Sequence, residues 1–178
     1  MSRSLRILAL GLAVCGTVAV ATAATGSTYY VREGMVNHIN PPITAIWDLQ
    51  VEVMDDDGNF DPDLMDEAKW SALLEHSRAL DAAARAMAAA PAYAATDPLS
   101  TLGDAPEGTD LAAIQARLAA NPETYRALAQ ALAGNTAALV AAAEARDAAV
   151  VTQLVNDAQP VCKACHDVFW YPEEYTPG

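Results

Sequence analysis

Cys162-Lys163-Ala164-Cys165-His166 places two thiols and an imidazole within one short string near the C-terminus. On a helix, positions i, i+3 and i+4 share a face, so Cys162, Cys165 and His166 can all meet one flat group. Several chemistries use such residues. A C-x-x-C pair alone serves as a redox-active dithiol or as half of a zinc site. A structural zinc needs two further Cys or His ligands at short spacing; only Cys15, His38 and His76 remain, scattered singly along the chain. A thioredoxin-like dithiol belongs with βαβ patterning, which is absent. The complete C-x-x-C-H string is the attachment signature of haem c. There the thiols form thioethers to the porphyrin vinyl groups, and the adjacent imidazole is the proximal iron ligand. The motif predicts one covalently attached haem c, with its iron, held by Cys162, Cys165 and His166.

The N-terminus agrees with that chemistry. Arg3 and Arg6 precede an apolar run from Ile7 to Val20 and then Ala21-Thr22-Ala23, the layout of a secretory signal. Attachment of haem c normally takes place outside the bacterial cytoplasm, so residues 1–23 are expected to direct export to the periplasm and to be cleaved after Ala23. A retained membrane anchor is the alternative, since Ile7 to Thr25 is almost long enough to span a bilayer. The run is rich in Ala, Gly and Thr rather than Leu, Ile and Phe, which favours cleavage. Cys15 is no lipoprotein site, because Val14 stands where a small residue is usual. Residues 24–178 are then one domain with one core.

The formal charge is −13, and losing Arg3 and Arg6 makes it two units more negative. A body this acidic does not bind nucleic acid or an anionic membrane through its net field. It should attract a partner protein with a basic docking surface.

The elements that must position the motif are helices. The first is expected from Thr28 to Met54, with Val31, Met35, Ile39, Ile43, Ile46, Gln50 and Val53 on one face and a bend at Pro41-Pro42. Asp55-Asp56-Asp57-Gly58-Asn59 starts like a calcium loop, but Glu67 falls one residue late for the bidentate ligand, so a solvated loop is expected. Asp61-Pro62 opens the second helix, with Trp70, Leu73, Ser77, Leu80, Ala84 and Met87 inward and an end near Pro91. A long connection follows from Pro91 to Gly108, then a short helix from about Asp110 to Ala120. Asn121-Pro122 repeats the capping device ahead of a third long helix carrying Tyr125, Leu128, Leu132, Leu139 and Val140. Asp147 starts a fourth with Val151, Leu154, Ala158, Val161 and Cys165 on one face, kinked at Pro160. No strand is expected. The fold class is all-α, an antiparallel four-helix bundle with haem c near the C-terminal end of the last helix.

A four-helix pattern that ends on C-x-x-C-H resembles the class II c-type cytochromes, cytochrome c′ and its low-spin cytochrome c556-like relatives. The stretch from Met35 to Trp47 looks like the first helix of a c556-like subgroup, and Trp70 and Cys162 to Phe169 are similar too. The likeness spans about Tyr29 to Tyr171. It implies a distal position on the first helix, filled by an apolar side chain in cytochrome c′ and by a Met ligand in c556-like members. Met35 matches that position best; His38, a turn further on, is the alternative ligand. His76 is expected on a solvated flank. The chain departs from the family at Trp170, where a basic residue is usual, at Pro160, and in the Pro91–Gly108 connection. Phe169, Trp170, Tyr171 and Tyr175 are expected to pack the end of the core.

The resemblance implies a periplasmic mono-haem electron carrier, not an enzyme, with iron held by His166 and Met35. A five-coordinate haem that binds or senses nitric oxide or carbon monoxide is the alternative, and a haem subunit of a larger membrane redox complex a further one. Many family members dimerise, which leaves a homodimer open.

Overall fold

The computed structural model describes residues 27–56 and 60–171. The expected export signal, with Arg3, Arg6 and Cys15, lies outside the described residues, as do Asp57-Gly58-Asn59 and Tyr175. The protein is all-α, apart from one two-residue parallel pair that patterning did not announce. Strand β1 (Tyr29–Tyr30) pairs with β2 (Tyr93–Ala94), Tyr29 opposite Tyr93 and Tyr30 opposite Ala94.

The first helical stretch is three segments in series: α1 (Val31–Gly34), a π turn (Met35–Ile39) and α2 (Asn40–Glu52). The expected bend takes a specific form here. Pro41 and Pro42 have no N–H to return to the preceding turn, and that turn widens, with the Asn40 N–H reaching back to the Met35 carbonyl. Val31, Ile39, Ile43, Ile46 and Val53 are buried as the stripe predicts, while Met35 and Gln50 are half-buried.

Asp61-Pro62 does not open the second long helix. The Asp61 carboxylate accepts from the N–H of Asp63, two residues on, and closes a single 3-10 turn (Pro62–Leu64). Met65 then runs extended and buried, and Asp66 caps α3 (Glu67–Ala89) by accepting from the Lys69 N–H at 2.8 Å. Asp110 and Asp147 cap α4 (Leu111–Ala120) and α6 (Ala148–Cys165) in the same way. Asn121 differs from expectation: its side-chain amide donates back to the Arg117 carbonyl at 3.3 Å, finishing α4 rather than capping α5 (Pro122–Ala145).

Helix α6 runs through Pro160 and passes into a second π turn, His166–Trp170, closed by the Tyr171 N–H on the His166 carbonyl at 2.8 Å. Helix α3 packs along α5, α5 along α6, and α2 against both α3 and α6. Leu73, Leu80, Tyr125, Leu139, Val151 and Val155 form the centre of the shared core. Burying side chains of this size contributes on the order of 1.5–3 kcal/mol each.

Candidate functional site

The helical register of α6 does what the spacing predicts. Cys162, Cys165 and His166 all line one cavity of about 380 Å³. Ile39, Ile43 and Trp47 close it from the first helical stretch, Met87 from α3, and Leu128 and Leu132 from α5. A second space of about 330 Å³ adjoins it and shares Met35, Asn40, Tyr125, Cys165 and His166 with the first. The two are lobes of one mainly apolar chamber, each within the range of about 300–1,000 Å³ common for cofactor sites. Outside them, a shallower depression runs over Trp47, Cys162, Lys163, His166, Asp167 and Tyr171.

Met35 lines both lobes together with His166. His38 does not join it. An α turn would keep a residue three positions on near the same face, but a π turn holds more residues per revolution and leaves His38 short of a full one. His38 is exposed and lines a separate groove with His76, Tyr29, Pro41 and Pro42. His76 is half-buried on that groove.

The C-terminal π turn is anchored from within. Phe169 is buried and meets the buried Tyr125 edge-on, with ring centroids 5.3 Å apart. Tyr125 is itself stacked at a tilt on Tyr93 at 4.5 Å, and its hydroxyl donates to the Met87 sulfur. The Arg117 guanidinium, from α4, donates to the Phe169 carbonyl at 3.1 Å. Trp170 packs half-buried beside this core, and the Tyr171 ring stands edge-on to His166 at 6.1 Å. On the outer face Lys163 pairs with Asp167 at 2.6 Å, an exposed i,i+4 contact of small energetic weight.

Electrostatics separates the chemistries a C-x-x-C pair can do. Burial pushes the Cys165 thiol up to about 12, with the neighbouring Cys162 adding to it, and burial raises Cys162 as well. Both remain thiols at neutral pH, unlike the low-pKa thiolate of a disulfide oxidoreductase. Neither is in a disulfide. Among the described residues, no group of three or more His, Cys, Asp or Glu comes together as a zinc donor set would require. His166 is open to the chamber by surface area, yet the surrounding protein still desolvates its charged form and lowers its pKa, against a smaller opposing effect of Asp167. It is therefore a neutral imidazole with a free lone pair at pH 7.

These features fit a haem. The walls are apolar, two thiols and an imidazole project from one helix face, and two buried donors on the walls, Trp47 Nε1 and Thr109 Oγ1, have no protein partner. Haem carboxylates are acceptors for such donors. The sequence did not single out Thr109, nor Arg32 and Glu33, which hold the chain around it. Their one sequence signal was an adjacent opposite-charge pair inside an otherwise apolar helix start.

Neither curated proteins nor solved structures yield a match to the chain. The family model described as cytochrome C′ matches residues 64–170, which is more than half of the chain and takes in α3 through the second π turn. With the C-x-x-C-H motif inside the matched region and the helices around it, the chain belongs to the cytochrome c′ family.

Proposed function

We propose that the protein is an exported, periplasmic mono-haem c-type cytochrome that carries electrons, in which Cys162 and Cys165 would attach the haem through thioethers and His166 and Met35 would hold its iron. One observation carries this reading: the three motif side chains and Met35, from opposite ends of the chain, line the same chamber. In it the four long helical stretches act as an antiparallel bundle that holds the cofactor between the first and last. Haem c supplies one-electron exchange at iron. The chain's own residues do the rest. His166 offers a neutral nitrogen, Met35 a thioether, and the apolar walls exclude water and limit reorganisation. A thioether ligand favours the reduced state and raises the potential. The acidic body would dock transiently with a basic redox partner.

The gas-binding alternative draws on a different observation. Met35 is only half-buried and borders the second lobe, so its displacement would open room for a small exogenous ligand. Among the described residues, no helix is long and apolar enough to cross a membrane. The further alternative, a haem subunit of a larger membrane redox complex, draws on the acidic composition, the Pro91–Gly108 connection and a retained N-terminal anchor.

Intact-mass measurement of the denatured holoprotein tests the attachment. One haem mass should stay with the chain, and Cys162→Ser with Cys165→Ser should lose it. A haem that washes off the denatured wild-type protein would contradict the assignment.

A further inference from the structure

The lobe beside Met35 has one wall without helical structure. Between β2 and α4 the chain contributes Leu102, Asp104, Pro106 and Thr109 to the space that also holds Met35 and His166. The segment's internal bonds close short local turns: Ser100 N–H on the Asp97 carbonyl at 2.9 Å, and Leu102 N–H on the Ser100 hydroxyl at 3.3 Å. Those turns fix its local shape but not its place on the chamber.

Two adjacent residues of α1 fix the place. The Arg32 guanidinium donates to the carbonyls of Gly103 at 3.0 Å and Asp104 at 2.7 Å, more than seventy positions away. Gly103 takes a left-handed conformation, φ +73°, which glycine adopts without strain. Arg32 is 8 % exposed, and these charge-assisted bonds offset the cost of burying it. The Glu33 carboxylate accepts from the Thr96 hydroxyl at 2.8 Å and from the Asp97 N–H at 3.1 Å. The Arg32 N–H also bonds the Ala95 carbonyl at 3.0 Å, and the Ala95 N–H bonds Gln115 of α4 at 2.9 Å. Residues 95–104 are thus strapped to the same few residues of helix that present Met35.

We propose that Arg32 and Glu33 determine which exogenous ligands reach the Met35 side of the chamber. By clamping residues 95–104 they keep its wall closed to organic bases the size of imidazole, while a diatomic gas still fits. The inference rests on the haem reading above, and its failure is separable from failure of that reading. Without the clamp the wall depends on weak local turns, and its open population rises.

The test uses holoprotein with Met35→Ala, so that Met35 no longer competes for the site, and compares it with the same protein carrying Glu33→Ala or Thr96→Val. Thr96→Val removes only one hydroxyl donor and covers the case in which the Glu33 variant fails to fold. Two things are read: association of imidazole with the ferric form and of carbon monoxide with the ferrous form, and thermolysin cleavage before Leu102. The expected result is faster cleavage and an imidazole rate raised about tenfold, against a carbon monoxide rate changed less than about twofold. Unchanged cleavage would overturn the clamp. Faster cleavage with both ligand rates unchanged, or with both raised equally, would overturn the selectivity. Absence of covalent haem in the parent would remove the cofactor reading and this proposal together, and shows before any rate is measured.

Discussion

Two helical segments widen into π turns, Met35–Ile39 and His166–Trp170, and each begins at a candidate iron ligand. They are made differently. The first has a local chemical cause, the missing N–H groups of Pro41 and Pro42, and is mostly exposed, with Val36, Asn37 and His38 facing outward and only Ile39 buried. The second contains no proline and is held by tertiary contacts, with Phe169 in the core against Tyr125 and its carbonyl bonded by Arg117. The C-terminal candidate ligand thus stands on a turn anchored in the core. The N-terminal one stands on a more exposed turn that directly follows Arg32 and Glu33, the residues bonded to the 95–104 segment. If both residues hold an iron, the C-terminal one has the better-anchored support.

The comparison can be broken at either turn. Phe169→Ala removes the anchor of the C-terminal turn and should cost about 3–5 kcal/mol, read in a denaturant titration. A cost no larger than for an exposed side chain such as Val168 would deny the anchor its role. Gly34→Ala acts just before the other turn, because an added Cβ would overlap the Tyr29 hydroxyl. It should cost about 1–3 kcal/mol and displace β1. Pro41→Ala with Pro42→Ala returns donors to the Asn37 and His38 carbonyls, and the turn should tighten to α. Met35 would then be re-aimed, and the reduced holoprotein should gain a fraction that binds carbon monoxide. An unaltered spectrum would mean that the prolines do not set the turn.

How much of this was legible depended on the range of the interactions. The helix starts near Asp110 and Asp147, the motif's shared face and most of the first two stripes follow from periodicity and local hydrogen bonding and are present. In the last two long helices, by contrast, Leu128, Val140, Leu154 and Val161 are half-buried, and Ala129, Thr136 and Val155 take the core positions. An Asx turn and a helix cap use the same residue types, so Asp61-Pro62 reads as a helix start in sequence, and the extended, buried Met65 decides for the turn. The clamp was not legible at all, since Arg32 and Glu33 find partners more than sixty positions away. His38 is equivalent to Met35 only on a regular α-helix, and the π turn removes that equivalence.

The smallest expected effect concerns pH. Burial pushes the Tyr29 hydroxyl up to about 12, and burial is also the main cause that raises Tyr93 and Tyr125. The folded protein keeps protons that the unfolded chain gives up from about pH 10, so stability should fall as pH rises from about 10 toward 12. Tyr29→Phe should flatten that fall in denaturant melts, and an equally steep fall would assign it to other groups.

The most direct test is the carbon monoxide difference spectrum of the reduced holoprotein beside that of Met35→Ala. If Met35 and His166 both hold the iron, the wild-type spectrum should be low-spin and indifferent to carbon monoxide, and the variant should be high-spin and shift fully. A wild-type protein that binds carbon monoxide as readily as the variant would contradict the account and leave Met35 as a wall of the chamber.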